Sequence, residues 1–194
     1  MSKLPLQFYN RDDVVLIAKE LIGKVLCTNI NNRITKGIIT ETEAYAGVTD
    51  KASHAYGNRR TNRTEVMYGK PGISYVYLCY GVHSLFNVVT NKEGIPHAVL
   101  IRSIHPVDGL DTIRARRGRK QLLHKLADGP GKVCSALGIK FNLHNRIDLK
   151  DEKIWIEDSD ITVEPTEIIT GPRIGVEYAK EDALLPYRFL WKTP

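Results

Sequence analysis

The chain has 194 residues, 28 Lys and Arg against 22 Asp and Glu, a formal net charge of +6 and 42% hydrophobic residues. This is ordinary globular composition, long enough to bury a sizeable core. No apolar run approaches the roughly eighteen residues a membrane helix needs, and the opening Met1-Ser2-Lys3-Leu4-Pro5-Leu6 lacks a signal-peptide core. The chain is therefore expected in the cytoplasm, and the modest basic excess permits nucleic acid as a partner without requiring it. Cys27, Cys79 and Cys134 lie far apart and the histidines show no metal-pair spacing, so neither a disulfide framework nor a metal site is expected.

No repeat, low-complexity stretch or linker divides the chain, so residues 1–194 read as a single domain. Asn10 as a cap, followed by Asp12, Asp13 and an apolar stripe, predicts a helix over 14–22 closed by Gly23. Residues 24–28 and 33–45 read as strands joined by a polar turn over 29–32. Residues 46–72 are polar and irregular and carry Arg59, Arg60 and Arg63; a loop this long inside a compact domain is usually functional. Runs at 73–80, 84–90 and 98–104, broken by Gly81 and by residues 91–94, predict an antiparallel meander. Helices are predicted over 108–117 and 130–137, then weaker strand-and-loop sequence and a short terminal segment at 187–191. The expected class is mixed α/β (α+β): a curved antiparallel sheet surrounded by helices.

Three groups of residues could carry chemistry. By strand alternation Ile39, Glu41, Glu43 and Tyr45 share one face, which suits either an acid–base site or a strand end reaching solvent. Tyr75 and Tyr77 share a face, while Tyr80 projects from the hairpin end. Such aromatics serve cross-strand packing or a stacking platform for bases, worth roughly 1–3 kcal/mol per base. Arg114, Arg116, Arg117, Arg119 and Lys120, around a helix end, form either a solvated face or phosphate contacts.

Glu41-Thr42-Glu43-Ala44-Tyr45, Ser53-His54, Lys70-Pro71-Gly72, the run Tyr75-Val76-Tyr77-Leu78-Cys79-Tyr80-Gly81 and Asn87 together resemble the alkyladenine DNA glycosylase family, the methylpurine-DNA glycosylase type of 3-methyladenine DNA glycosylase. The likeness continues through Val99-Leu100-Ile101-Arg102, Gly129-Pro130-Gly131-Lys132, Pro172-Arg173-Ile174-Gly175-Val176 and Pro186-Tyr187-Arg188-Phe189, in order over most of the chain. It implies an enzyme of base-excision repair that flips 3-methyladenine, 7-methylguanine, hypoxanthine or ethenoadenine out of duplex DNA and hydrolyses the N-glycosidic bond. By that resemblance Glu43 is the general base. Arg102 and the backbone carbonyl of Ile174 orient the water, and Arg102 keeps the carboxylate ionised. Tyr45 on one side, and His54 and Tyr77 on the other, wall the base pocket; Asn87 rejects the amino group of normal guanine. Tyr80 is the residue inserted into DNA from a β-hairpin, and Glu41 reads as structural, a second acid for neutral lesions such as hypoxanthine being the alternative.

The resemblance also implies a monomer acting on damaged double-stranded DNA without a cofactor. Nothing marks Lys70 or Lys132 as a Schiff-base nucleophile, so a monofunctional enzyme without lyase activity is expected. The hairpin departs from some relatives at His83, where they carry an aromatic residue. The lack of a long N-terminal extension resembles bacterial rather than nuclear members. A non-catalytic DNA- or RNA-binding module of the same fold is the alternative, but a pure binder gains little from a carboxylate facing phosphodiesters. A small-molecule hydrolase using Glu41 and Glu43 fits the arginine-rich loop and Tyr80 poorly.

Overall fold

The computed structural model describes residues 2–159 and 161–192, so the outer limits of the expected 1–194 domain lie outside the described residues. A single turn, α1 (Leu6–Tyr9), ends at Asn10. The next helix, α2 (Val14–Glu20), begins at Asp13, whose carboxylate accepts the Leu16 N–H at 2.9 Å. The N-cap is therefore Asp13 and not Asn10. The preceding turn takes up Asn10 as its own C-cap, and aspartate is an equally good acceptor.

β1 (Val25–Ile30) and β2 (Arg33–Tyr45) form a hairpin whose turn residues, Asn31 and Asn32, have φ of 55° and 56°. A two-residue hairpin of this twist needs two left-handed residues, and asparagine tolerates that conformation. β3 (Ser74–Cys79), β4 (His83–Thr90) and β5 (His97–Asp108) make the predicted meander. β6 (Ile154–Glu157), β7 (Ile168–Gly171) and β8 (Arg188–Trp191) come from the weakly patterned C-terminal third. The strand order is β3-β4-β5-β2-β1-β6, with β8 pairing both β2 and β7, and the registered pairs are all antiparallel. β2 is the spine: β5 runs along one edge, while β1 and then β8 share the other.

One sheet face curls over a core shared with α2 and with α4 (Pro130–Leu137), in which Ile17, Leu26, Phe86, Ile101 and Leu137 are buried. α4 matches the predicted span because Pro130 opens it and Gly138, in the left-handed region, closes it. Val89 and Ala98, on the other face, join Ala55, Val66, Met67 and Tyr75 in a smaller core that fastens the long 46–72 loop to the sheet. β5 outlasts its expected end at 104 because residues beyond it pair with Ile38, Gly37 and Lys36. α3 (Leu110–Arg117) consequently starts two residues late, after Gly109.

Gly109 makes that corner with φ of 69°, and a Cβ there would stand 2.3 Å from the Ile34 carbonyl oxygen. Gly109→Ala should therefore cost about 1–3 kcal/mol in urea unfolding. An unchanged midpoint would mean the corner relaxes freely.

Candidate active site

The site begins with an irregularity in the sheet. Ile39 pairs with Ile104, Glu41 with Ser103, and Thr42 with Ile101, so each strand carries one extra residue, at Thr40 on β2 and Arg102 on β5. Such bulges re-aim side chains. Beyond the bulge Thr42 donates its hydroxyl to the Ala18 carbonyl of α2 at 2.7 Å, and Ala44 lies in the helix-backed core together with Ile39. Glu41, Glu43 and Tyr45 therefore face the other way. Ile39 does not share their face, contrary to simple alternation, because the bulge inverts the pattern between them.

Glu43 is fully buried, with 0% exposure. Its Oε1 accepts the Ile174 N–H at 2.8 Å and its Oε2 accepts the Tyr45 hydroxyl at 2.8 Å, while Arg102 Nη1 lies 3.3 Å from Oε1. The observed contact of Ile174 with Glu43 is thus through its amide rather than its carbonyl. Glu41 accepts from Arg102 Nε at 3.2 Å and from Arg188 Nη1 at 2.8 Å. The result is a chain of alternating charge, Arg188–Glu41–Arg102–Glu43, in which Glu41 aims the guanidinium that meets Glu43. Burial pushes the Glu43 carboxyl above its ordinary value, against the opposing pull of Arg102, the Ile174 amide and the Tyr45 hydroxyl; Glu41 adds to the rise. Arg102 favours the ionised form as expected, yet burial outweighs it. Burial, then Glu43 itself, also raises the Tyr45 phenol well above its ordinary value, so Tyr45 stays a donor.

Above Glu43 opens a cleft of about 510 Å³, lined among others by Tyr45, His54, Tyr77, Asn87, Arg102 and Ile174. That volume suits a purine-sized ligand. The rings of His54 and Tyr77 meet edge-on with centroids 4.7 Å apart, and Tyr75 lies 5.4 Å from Tyr77. Both tyrosines line the cleft, Tyr75 as a buried member of the loop core and Tyr77 half-buried against that core. His54 Nδ1 is 2.8 Å from the Tyr75 hydroxyl, and Nε2 is 3.3 Å from Arg63 Nη2. A guanidinium only donates, which assigns the proton of a neutral His54 to Nδ1. Burial, then Arg63 and Arg59, brings the His54 pKa down to about 4, so the ring is neutral at pH 7.

Asn87 is buried and donates Nδ2 to the Tyr75 carbonyl at 3.0 Å, which fixes the amide against the cleft. Tyr80 stands at the tip of the β3–β4 hairpin with 93% exposure and φ of 50°. Seven of the eight site residues named from the sequence line this cleft, with Tyr80 at its mouth, while Glu43 stands behind Tyr45, Arg102 and Ile174, which do line it. The hairpin is braced: a Cβ on Gly131 of α4 would lie 3.2 Å from His83 Cβ.

Three arginines that the sequence places only in a loop or a motif take definite positions around the site. Arg173 is buried against Asp50, Arg63 lies 4.7 Å from the Tyr77 ring centroid, and Arg188 holds Glu41. The Arg114–Lys120 run also has a use not foreseen: Arg114, Arg116 and Arg117 donate to the carbonyls of Gln121, Ala136 and Leu126. Among the described residues there is no group of three or more His, Cys, Asp or Glu placed to hold a metal, and no helix long and apolar enough to cross a membrane.

A carboxyl whose folded pKa is raised above its unfolded value favours the fold at low pH, and that contribution disappears as pH rises through the folded value. Glu43→Gln, which does not ionise, should therefore gain Tm relative to wild type as pH rises from roughly 4 to 7. A Tm difference independent of pH would contradict the burial-driven rise.

The family model described as "Methylpurine-DNA glycosylase (MPG)" matches residues 7–194. A protein of Chlamydia felis named "Putative 3-methyladenine DNA glycosylase" is 48% identical over 188 residues, covering 96% of this chain and 95% of that protein. Proteins of the same name from Desulfitobacterium hafniense and Clostridium acetobutylicum are each 44% identical, covering 97% and 98% of this chain and 95% and 94% of theirs. The chain belongs to the methylpurine-DNA glycosylase family of DNA N-glycosidic-bond hydrolases.

Proposed function

We propose that residues 1–194 form one domain, acting as a monomer in the bacterial cytoplasm, that excises alkylated and deaminated purines from duplex DNA in base-excision repair. The substrates are 3-methyladenine, 7-methylguanine, hypoxanthine and ethenoadenine. The observation that carries this reading is the fully buried Glu43, held by two hydrogen-bond donors and the Arg102 guanidinium behind an aromatic cleft of about 510 Å³.

In this reading the hairpin end inserts Tyr80 into the duplex, offsetting the few kcal/mol of unstacking and unpairing that extrusion costs. The extruded purine enters between Tyr45 on one side and His54 and Tyr77 on the other. A neutral His54 places no charge against a cationic alkylpurine, and the ring faces favour one by about 0.5–2 kcal/mol. Glu43 takes a proton from a water as that water attacks C1′ and the bond to the purine nitrogen breaks. Its negative charge also stabilises the oxocarbenium-like sugar. A base with a raised pKa is the stronger one once ionised, and Arg102 with the Ile174 amide keeps its oxygens in one orientation. A purine that already carries positive charge leaves as a neutral molecule, so a single carboxylate suffices for it, whereas neutral hypoxanthine and ethenoadenine must take up a proton as they leave; glycosidases need a second acid for their alkoxide leaving group. Asn87, fixed by its bond to the Tyr75 carbonyl, meets the exocyclic amino group of undamaged guanine and excludes it.

Wild-type protein incubated with duplexes holding one hypoxanthine or one 7-methylguanine should release free base and leave an intact abasic strand. Glu43→Gln should lower the release rate by about 10²–10⁴-fold. Binding of damaged duplex without release by the wild type would refute the enzymatic reading. Tyr80→Ala should slow excision far more than it weakens total duplex binding; equal losses would remove Tyr80 from the role of inserted residue.

A further inference from the structure

The Asp50–Arg173 ion pair is buried, with side-chain exposures of 1% and 0%, and it lies outside the reaction described above. Burying two ions costs several kcal/mol each, and such a pair is often no more stabilising than apolar side chains of equal volume. Its value lies in what its geometry holds. Arg173 donates to Asp50 through both terminal nitrogens, at 2.5 and 2.8 Å, and to the Ala44 carbonyl at 2.9 Å and the Asp182 carbonyl at 3.1 Å. Asp50 in turn accepts the Ala46 N–H at 2.9 Å and the Ala52 N–H at 3.0 Å. One ion pair therefore ties down the backbone on both sides of Tyr45. The same guanidinium stands 4.9 Å from the Tyr45 ring centroid and 5.2 Å from that of Tyr187. It also immediately precedes Ile174, whose amide is the other uncharged donor to Glu43.

We propose that Arg173, locked by Asp50, is a positioning residue that aims the Tyr45 hydroxyl and the Ile174 amide at Glu43; this rests on the role given to Glu43 above. Lysine cannot replace it, because an ammonium lacks the planar fork that meets two carboxylate oxygens and two carbonyls at once. The groups facing Glu43 are Glu41 and Tyr45 from β2, Arg102 from β5, Tyr77 from β3 and the Ile174 amide, with Arg173 and Tyr178 further off and Arg188 of β8 acting through Glu41. When the two aimed donors drift, two opponents of burial and Glu41 are lost while the charges of Arg102 and the more distant Arg173 remain, and the protonation midpoint of Glu43 moves to higher pH.

The test is single-turnover excision across pH with the full chain and a hypoxanthine duplex, comparing wild type, Arg173→Lys, Asp50→Asn and Glu43→Gln. Both positioning variants should lose about 10–100-fold in the maximal rate, as expected for a small misplacement of a catalytic group. Their acid limb should move to higher pH, while damaged-duplex Kd stays within about threefold of wild type. Asp50→Asn keeps one acceptor oxygen and the side-chain shape, so it carries the test if Arg173→Lys does not fold. A wild-type rate and acid limb in the folded variants, with Glu43→Gln silent, overturns the proposal. So does a rate loss matched by an equal loss of duplex binding with the acid limb unmoved, which marks a pair serving only the fold. Wild-type release by Glu43→Gln instead overturns the role of Glu43, and is distinguishable from both.

Discussion

An ionisable carboxyl with no solvent exposure is the most demanding group in this protein, and the surrounding architecture is arranged around the cost of burying it. Glu43 sits where β2 is paired on both edges, opposite Leu100 of β5 and Arg188 of β8, so its backbone is held from both sides. Two uncharged donors and one guanidinium hold its oxygens, and Glu41 and Arg188 hold that guanidinium. Partial compensation is the useful outcome. Complete compensation would leave a weak base, whereas a carboxyl lifted by burial above its ordinary value is the stronger base once ionised.

The cleft follows from sheet order. Tyr77, Asn87, Arg102 and Glu43 come from β3, β4, β5 and β2, successive neighbours in the sheet, so their spacing is set by strand separation rather than by loops. The long 46–72 loop adds His54 and Arg63 and is fastened by its own small core, which includes Tyr75. The net charge of +6 takes a secondary place in this arrangement. Part of the basic surface is spent on carbonyls at the end of α3, and affinity for DNA should fall with salt at a log–log slope of roughly −0.9 per phosphate neutralised. On the proposed function, discrimination belongs to the aromatic cleft.

How much of this is readable from sequence depends on the range of the interactions. The β3–β4–β5 meander and α4 were legible because alternation, glycine breaks and an opening proline act within a few residues. The N-cap was misplaced from Asp13 to Asn10 because two adjacent turns compete for the same cluster of polar residues. The face of Ile39 was misread because a bulge is a property of a strand pair and leaves no mark on either strand alone. β6, β7 and β8 are four residues each and gain their order from pairing, not from pattern. Glu43, Tyr45 and Tyr80 could be singled out by residue type and resemblance. The Asp50–Arg173 pair, 123 residues apart in sequence, had no periodic signal at all.

The most direct measurement of the central claim separates base extrusion from bond cleavage in one variant. Glu43→Gln, mixed with a duplex carrying a single fluorescent ethenoadenine, should show the wild-type fluorescence change of an extruded base while forming abasic sites at least about 100-fold more slowly. Abasic-site formation at the wild-type rate would contradict a buried Glu43 as the base that activates water.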